Sequence, residues 1–303
     1  MLSILIPVFN FDIRELVAAL RKQAIKLNID FEIRCYDDAS NQNFSQLNKT
    51  VASFDKVIFQ RLEKNIGRSA IRNKLAADAA FDNLLFMDCD SKLPDDDFLK
   101  KYIEKTDHQS IIYGGRSYET QPPTDHKKYL RWKYGIGREA IPFAIRVKNP
   151  YDSFMTNNFL VPKKTFLKIG LDEAMKGYGH EDTKFGYMLL LQHIPIIHIN
   201  NPLIHIGLED TDEFLEKTNE GLKNLLYLYR QQHIPLSHLR SIRLLRYFNF
   251  LNRSGTRKAF LFVYQMMSAT VEKNLNSGNA KLFYFDLYRL GKFTELSLRS
   301  NNE

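Results

Sequence analysis

Two acidic groups stand where carboxylates could do chemistry. Asp88-Cys89-Asp90 closes the apolar run Asn83-Leu84-Leu85-Phe86-Met87, and Glu181-Asp182 follows Gly177-Tyr178-Gly179-His180. A divalent cation riding on a diphosphate asks a protein for one or two carboxylates, because phosphate oxygens and water fill its other octahedral positions. Two aspartates separated by one residue at a strand end can divide that work, one reaching the cation and the other the cation or a ribose. Such a triplet is common by chance. Here the buried strand before it and the Pro94-led helix after it supply context. Glu181-Asp182 has a simpler reading as acidic residues favouring the first turn of a helix. Against that, Gly177 and Gly179 would let the backbone come close to a ligand.

The elements that must position these groups read as alternating strands and helices. Residues 2–7, 31–36, 56–60 and 83–87 have strand patterns, and 13–27 and 68–80 have helical ones, with Leu16, Leu20 and Ala24 on one face of the first helix. The order β-α-β-α-β-α-β calls for a mostly parallel sheet with right-handed crossovers and helices on both faces. In such sheets ligands bind beyond the carboxyl ends of the strands. Pro7 and Asn10 follow the first strand, Asp37 and Asp38 the second, and Asp88 and Asp90 the fourth. Helix capping explains Asp95 to Asp97, but less readily three pairs on one edge. Further on, Ile111-Ile112-Tyr113 reads as a strand closed by Gly114-Gly115, and 126–139 as a basic helix. The stretch from Pro142 to Ser153 has no period and reads as a mobile loop over the site. Phe159-Leu160-Val161 is a strand, with a short helix between Pro162 and Gly170. A helix runs on from Asp182 to about His193, and short apolar stretches at 195–199 and 203–206 flank Asn200-Asn201-Pro202. From Asp212 the pattern is helical. The expected division is 1–210, in halves 1–106 and 107–210, followed by a helical region 211–303.

Composition bounds the class. The 303 residues are 44% hydrophobic with a net charge of +8, which suits a folded α/β chain and excludes a disordered one. Cys35 and Cys89 lie in apolar runs, so no disulfide framework is expected and the compartment reads as reducing. The start of the chain is too short in its apolar run for a signal peptide, and no stretch has the length of a spanning helix. The expected location is the cytoplasm, with peripheral contact at the inner face of a membrane. That contact is expected because, after Gly221, roughly 13 Lys/Arg stand against 4 Asp/Glu. Arg240, Arg243 and Arg246 with Leu244, Leu245 and Phe248 would form the membrane-facing helix. A solvated basic face is the plainer reading of the same charge. Nucleic acid is not expected, since no nucleic-acid module accompanies the tail.

Four ordered motifs in the first hundred residues resemble family-2 glycosyltransferases of the GT-A fold. They are Ile4-Leu5-Ile6-Pro7-Val8-Phe9-Asn10, Tyr36-Asp37-Asp38-Ala39-Ser40, Asn65-Ile66-Gly67-Arg68-Ser69-Ala70-Ile71-Arg72-Asn73 and Phe86-Met87-Asp88-Cys89-Asp90. Gly177-Tyr178-Gly179-His180-Glu181-Asp182 is similar to the acceptor-side segment of β-1,4-galactosyltransferases and bacterial chondroitin-type polymerases. Ala39 stands where the family usually has glycine, and Phe9 where tyrosine is common. His180 replaces a small residue, which leaves the donor sugar open.

The resemblance implies a nucleoside pocket lined by Pro7 to Phe9, with Asn10 and Asn65 nearby and Asp37 or Asp38 bonding the base, most often uracil. It implies Arg68 and Arg72 at the base or diphosphate, Asp88 at the ribose, and Asp90 on Mn²⁺ or Mg²⁺. His205 would be a second metal ligand; His198 competes, although a satisfied strand-end histidine is its better reading. Asp182 would be the base and Glu181 would bind the acceptor or donor sugar. Departure of the diphosphate leaves negative charge that a metal offsets, and the acceptor hydroxyl needs a base on the opposite ring face. The implied activity is inverting sugar transfer from a nucleotide sugar, UDP-linked, to a glycan or lipid-linked acceptor in polysaccharide or glycoconjugate synthesis. Two readings compete with it. A sugar nucleotidyltransferase would want a glycine- and lysine-bearing loop after the first strand, which Pro7-Val8-Phe9-Asn10 lacks. A non-catalytic nucleotide-sugar-binding protein would be expected to have lost Asp90 or Asp182.

Overall fold

The computed structural model describes residues 1–231, 234–235 and 242–299, which fall into two compact units. The first unit comprises Met1–Glu119, Glu139–Ala174 and Glu181–Gly207. Its strands are β1 Leu2–Val8, β2 Phe31–Asp37, β3 Val57–Arg61, β4 Asn83–Met87, β5 Ser91–Lys92, β6 Ile111–Tyr113, β7 Arg116–Tyr118, β8 Asn158–Pro162, β9 Ile196–His198 and β10 Leu203–His205. Seven of them form one sheet in the order β3-β2-β1-β4-β8-β6-β9, and β5-β10-β7 form a second. β3, β2, β1 and β4 are parallel, joined through α1 Arg14–Lys26, α2 Gln42–Lys49 and α3 Arg68–Asp78, and α4 Phe98–Ile103 follows β5. β8 runs antiparallel to β4 and to β6. The mixed α/β architecture with a largely parallel sheet is the one expected.

Both faces of β1 are covered, and this is why Ile4 to Val8 reads as a continuous apolar run. Ile4, Ile6 and Val8 pack with Val17, Leu20, Phe98 and Leu99. Leu5, pointing to the other face, joins Leu75, Phe86, Phe166 and Phe185. Phe86 stacks on Phe159 at 5.0 Å and meets Phe166 at 4.7 Å. α7 Lys163–Ile169 starts after Pro162 and ends at Gly170, whose φ of 63° closes the helix as expected. β9 and β10 separate into different sheets at Asn201, whose side chain donates to Phe98 O at 3.0 Å and whose amide donates to Gly114 O at 3.2 Å.

The stretch expected as a mobile loop, 142–153, is anchored instead. It contains the short helix α6 Phe143–Arg146, and Arg146 is buried with hydrogen bonds to the carbonyls of Ile141, Gly114 and Ile199.

The second unit comprises Thr120–Arg138, Met175–His180 and the described residues from Leu208 onward. Its helices are α5 Tyr129–Tyr134, α9 Thr211–Gln231, α10 Arg243–Arg253, α11 Arg257–Leu275 and α12 Leu282–Arg299; α8 Glu181–Leu191 belongs to the first unit. The core is aromatic: Phe214 stacks on Phe285 at 5.3 Å, and Phe248 meets Phe293 edge-on at 4.8 Å. Arg131, buried, donates to Glu209 Oε2 at 2.9 Å, and Lys217 donates to Glu209 Oε1 at 2.8 Å.

The helix expected to face a membrane turns its apolar side inward. Leu244, Leu245 and Phe248 are buried, so that stripe is core, and Arg240 lies outside the described residues. Among the described residues no helix is long and apolar enough to cross a membrane.

Candidate active site

The loops after β1 and β2 brace each other at one sheet edge. Asn10 has a φ of 49°, its amide donates to Ser40 Oγ at 2.8 Å, and its side-chain oxygen accepts from Asn41 N at 2.8 Å. Asp37 Oδ1 accepts from Ser40 N at 2.8 Å, while its Oδ2 is buried without a hydrogen bond. Asp38 accepts from both Ile66 N at 2.7 Å and Gly67 N at 3.0 Å. Burial raises the Asp38 carboxyl above its usual range although these two amides work against it. Ala39 has a φ of 60°, which explains why glycine would be favoured at that position. Pro7 is half-buried, Phe9 keeps 50% of its surface open beside this edge, and Asn65 is exposed.

The fourth strand delivers the aspartates into a dense set of charges. Asp88 Oδ1 accepts from Arg72 Nη2 at 2.6 Å, and its other oxygen lies 3.6 Å from Arg116. Arg72 is buried and thereby committed to Asp88 and to Arg68 O. Burial pushes the Cys89 thiol up to about 12, so it is a neutral spacer between the aspartates, and both cysteines are free.

Asp90 Oδ1 is buried without a hydrogen bond, 3.4 Å from His205 Nδ1. Burial would raise the Asp90 carboxyl, but His205 and Arg116 outweigh it and hold the group below its usual range. Gly207 crosses so near that a Cβ there would lie 2.6 Å from Asp90 Cβ and 2.8 Å from Oδ2. Arg116 Nη2 is 3.0 Å from His205 Nδ1, and its Nη1 donates to Glu139 Oε2 at 3.4 Å; the Tyr118 hydroxyl donates to the same oxygen.

Asp90 is the side chain best placed for a divalent cation: its Oδ1 lies 3.4 Å from His205 Nδ1, near the roughly 3 Å between neighbouring octahedral ligands with bonds of about 2.1 Å, and Nδ1 would have to release Arg116 Nη2, 3.0 Å away, to serve as the second ligand. Among the described residues no three His, Cys, Asp or Glu side chains converge, so an ion held here would complete its shell with phosphate and water. His198 is engaged at both ring nitrogens, Nδ1 with Arg146 at 3.0 Å and Nε2 with Pro150 O at 2.9 Å, and burial pulls it down to about 4. It is a satisfied neutral histidine.

Glu181 and Asp182 open α8. Arg68 Nε donates to Glu181 Oε1 at 3.0 Å; burial would raise Glu181, but Arg68 and Arg72 hold it below its usual range. Asp182, half-buried, is pushed up to about 7 by burial and by the adjacent Glu181 charge, against the pull of Thr183 N, which donates at 2.7 Å, and of Arg68. Arg68 also acts on Asp90. One guanidinium is therefore within electrostatic reach of the strand-end aspartate and of both acids at the helix start.

The preceding glycines serve another purpose than the one expected. A Cβ on Gly177 would come 2.6 Å from Glu220 Oε2, and one on Gly179 would come 3.3 Å from Gly221 Cα. Tyr178 N donates to Glu220 Oε2 at 3.0 Å, and Asn224 donates to Lys176 O and Gly179 O. The packing around these glycines is with α9.

Sequence reasoning missed Arg116, Glu139, Tyr118 and Gly207, along with Arg146, Glu220 and Asn224. Arg116 had a usable signal, because it directly follows a buried strand and Gly114-Gly115. Gly207, beside His205, had another. Nothing local marks the rest.

The sequence profile described as glycosyl transferase family 2 matches residues 3–166, more than half of the chain. No curated protein sequence matches it. Among solved structures, the mannosyltransferase PcManGT of Pyrobaculum calidifontis, in complex with GDP-Man and Mn²⁺, is similar with a TM-score of 0.63 at 11% identity, over 98% of this chain and 86% of that one. TarS 1-349 of S. aureus in complex with UDP gives a TM-score of 0.52 at 15% identity, over 99% of this chain and 91% of that one. At such identities the likeness is one of fold, and it is the motif-bearing sheet half matched by the profile that makes this chain a member of glycosyltransferase family 2.

Proposed function

We propose that the chain moves one sugar from a UDP-sugar to an acceptor hydroxyl with inversion, in the synthesis of a polysaccharide or glycoconjugate. The observation that carries this is a pair of carboxylates in different settings: Asp90 Oδ1, without a hydrogen bond, lies 3.4 Å from His205 Nδ1 past the end of β4, and half-buried Asp182 opens α8 beside Glu181, to which Arg68 Nε donates at 3.0 Å. One acid is thus suited to an ion and the other to a proton. Nucleotide sugars bound in the two related structures, GDP-Man in PcManGT and UDP-GlcNAc in a further TarS complex, support a donor of this class.

In this reading Phe9 offers its open ring to the base, Asp37 or Asp38 meets the base's polar edge, and Pro7, Asn10 and Asn65 line the same pocket. Arg72 holds Asp88 toward the ribose, and Arg68 faces the diphosphate. Asp90 and His205 would hold Mn²⁺ or Mg²⁺, which when bound offsets the charge on the departing diphosphate. Arg116 adds positive charge on the same side. Glu181, fixed by Arg68, orients the acceptor or donor sugar. Asp182 takes the proton of the acceptor hydroxyl, and its raised pKa strengthens it as a base while leaving a large ionised fraction near neutrality. The acceptor is a glycan or lipid-linked sugar, and the latter calls for peripheral contact with the cytoplasmic face of a membrane through the basic C-terminal helices.

The test is release of UDP from a set of UDP-sugars with and without acceptor, in Mn²⁺, in Mg²⁺ and in chelator. Turnover that needs the metal and stops in Asp90→Asn supports the reading. Turnover unchanged by chelator removes the metal role, and exclusive use of GDP-sugars removes the uridine assignment.

A further inference from the structure

The second unit leaves one helix face uncovered in a way the ordinary solvated surface does not explain. α11 buries Tyr264, Val271 and Leu275 on one side. On the other, Ala259, Phe262, Val263, Met266 and Thr270 recur at the three- and four-residue steps of a helix, and all are exposed. Phe262 shows 65% of its surface, Val263 53% and Met266 74%. No charged residue interrupts the sequence between Ala259 and Val271. Clustered exposed apolar side chains of this size mark a surface that something covers.

The charge around the stripe says what that is. From Arg243 through Val271 the sequence holds no Asp or Glu, while Arg246, Arg253 and Lys258 are exposed and Arg257 is half-buried. α10, which precedes α11, also carries exposed Tyr247 and Phe250. A second copy of the chain meeting this face by twofold symmetry would set these cations against one another. Nucleic acid would satisfy the cations but not Phe262 or Met266. An anionic lipid surface satisfies both, with phosphate headgroups at the Arg and Lys side chains and acyl chains at the apolar stripe.

We infer that the outer face of α11, with the basic residues at its N-terminal end, docks in the plane of an anionic membrane. The helix lies on the surface rather than crossing it. This deepens the membrane contact proposed above by moving it from the buried Leu244, Leu245 and Phe248 to a face that is open. It requires nothing of the sugar-transfer chemistry.

Flotation of the full chain with vesicles tests it, using phosphatidylcholine with and without phosphatidylglycerol at low and high salt. The chain should float with the anionic vesicles at low salt and be released by salt or by their omission. The double variant Phe262→Ser/Met266→Ser should bind at least about tenfold more weakly, because it removes the inserted apolar groups, and Arg253→Gln/Lys258→Gln should lose binding to the anionic vesicles. Each variant replaces exposed residues, so an unchanged melting temperature and unchanged UDP-sugar turnover in solution confirm that the fold and the transfer site are intact. Wild-type chain that stays with the soluble fraction, or a Phe262→Ser/Met266→Ser variant that floats like wild type, overturns the inference. So does light scattering that shows a dimer dissolved by the same variant, with no vesicle binding.

Discussion

The first unit contains the same pair of side chains twice, with opposite consequences. Arg146 Nη1 lies 3.0 Å from His198 Nδ1, and Arg116 Nη2 lies 3.0 Å from His205 Nδ1. Around the first pair the partners are carbonyl oxygens: Ile141, Gly114 and Ile199 for the arginine and Pro150 for the histidine. Every donor is matched to a neutral acceptor, and the cluster closes a loop over the Gly114-Gly115 turn. Around the second pair the partners are carboxylates, Asp88, Asp90 and Glu139, and one buried Asp90 oxygen has no hydrogen bond. The arginine–histidine contact therefore does not tell a structural site from a functional one. A buried Asp90 oxygen with no hydrogen bond does, because its unused lone pair faces the cluster where the first cluster has every acceptor matched.

This contrast can be broken from either side. The largest effect should come from Arg146→Met, which leaves several buried carbonyls without donors and should cost about 3 kcal/mol or more, read as a lower denaturant midpoint. Metal affinity measured on the folded fraction should not change. Asp90→Asn should weaken Mn²⁺ binding in the presence of UDP by about 100-fold, about 2.7 kcal/mol, with a smaller fall in the unfolding midpoint than Arg146→Met, since His205 and Arg116 favour the Asp90 charge in the folded chain.

Two glycines give a finer version. A methyl on Gly115, at φ 102°, would meet the Arg146 guanidinium at 2.7 Å, so Gly115→Ala should cost about 2 kcal/mol of stability. The smallest effect on metal binding should be that of Gly207→Ala, whose methyl meets the Asp90 carboxylate. That variant should lose about tenfold in metal affinity, a tilt of about 1.4 kcal/mol, on top of a stability loss like that of Gly115→Ala, because the methyl would sit 2.6 Å from Asp90 Cβ. If both glycine variants leave metal affinity alone, the two clusters do not differ in the way claimed.

Much of this unit was legible in the sequence, because its determinants are local. β1 and β4 are short, mostly apolar runs and β2 alternates; they lead into Asn10, Asp88-Cys89-Asp90 and Asp37-Asp38 respectively, and a strand end fixes where such residues emerge. Gly170 and Pro162 marked the ends of α7 in the same way. Arg72 shows where local reading stops. Its helical position was clear, but its burial against Asp88 depends on how α3 sits on the sheet. The buried Arg146 could not be foreseen, since its partners come from β6, from the end of β9 and from its own loop. The packing of 120–138 and 175–180 with the C-terminal helices rests on long-range aromatic and hydrogen-bond contacts such as Tyr134–Phe285 and Asn224–Gly179. Gly177 and Gly179 were seen, but their reason, the approach of Glu220 and Gly221, was not.

The pH dependence of sugar transfer tests the central claim most directly. Asp182 has a pKa raised to about 7, so it carries its proton below that pH and is an ionised base above it. Activity with a saturating UDP-sugar and metal should rise through an acid limb near neutrality, and Asp182→Asn should lose about 10²–10⁴ in kcat, the usual worth of a general base, together with that limb, while UDP still binds. An Asp182→Asn enzyme that keeps its turnover and its acid limb, or one that loses UDP affinity instead of kcat, would contradict the account.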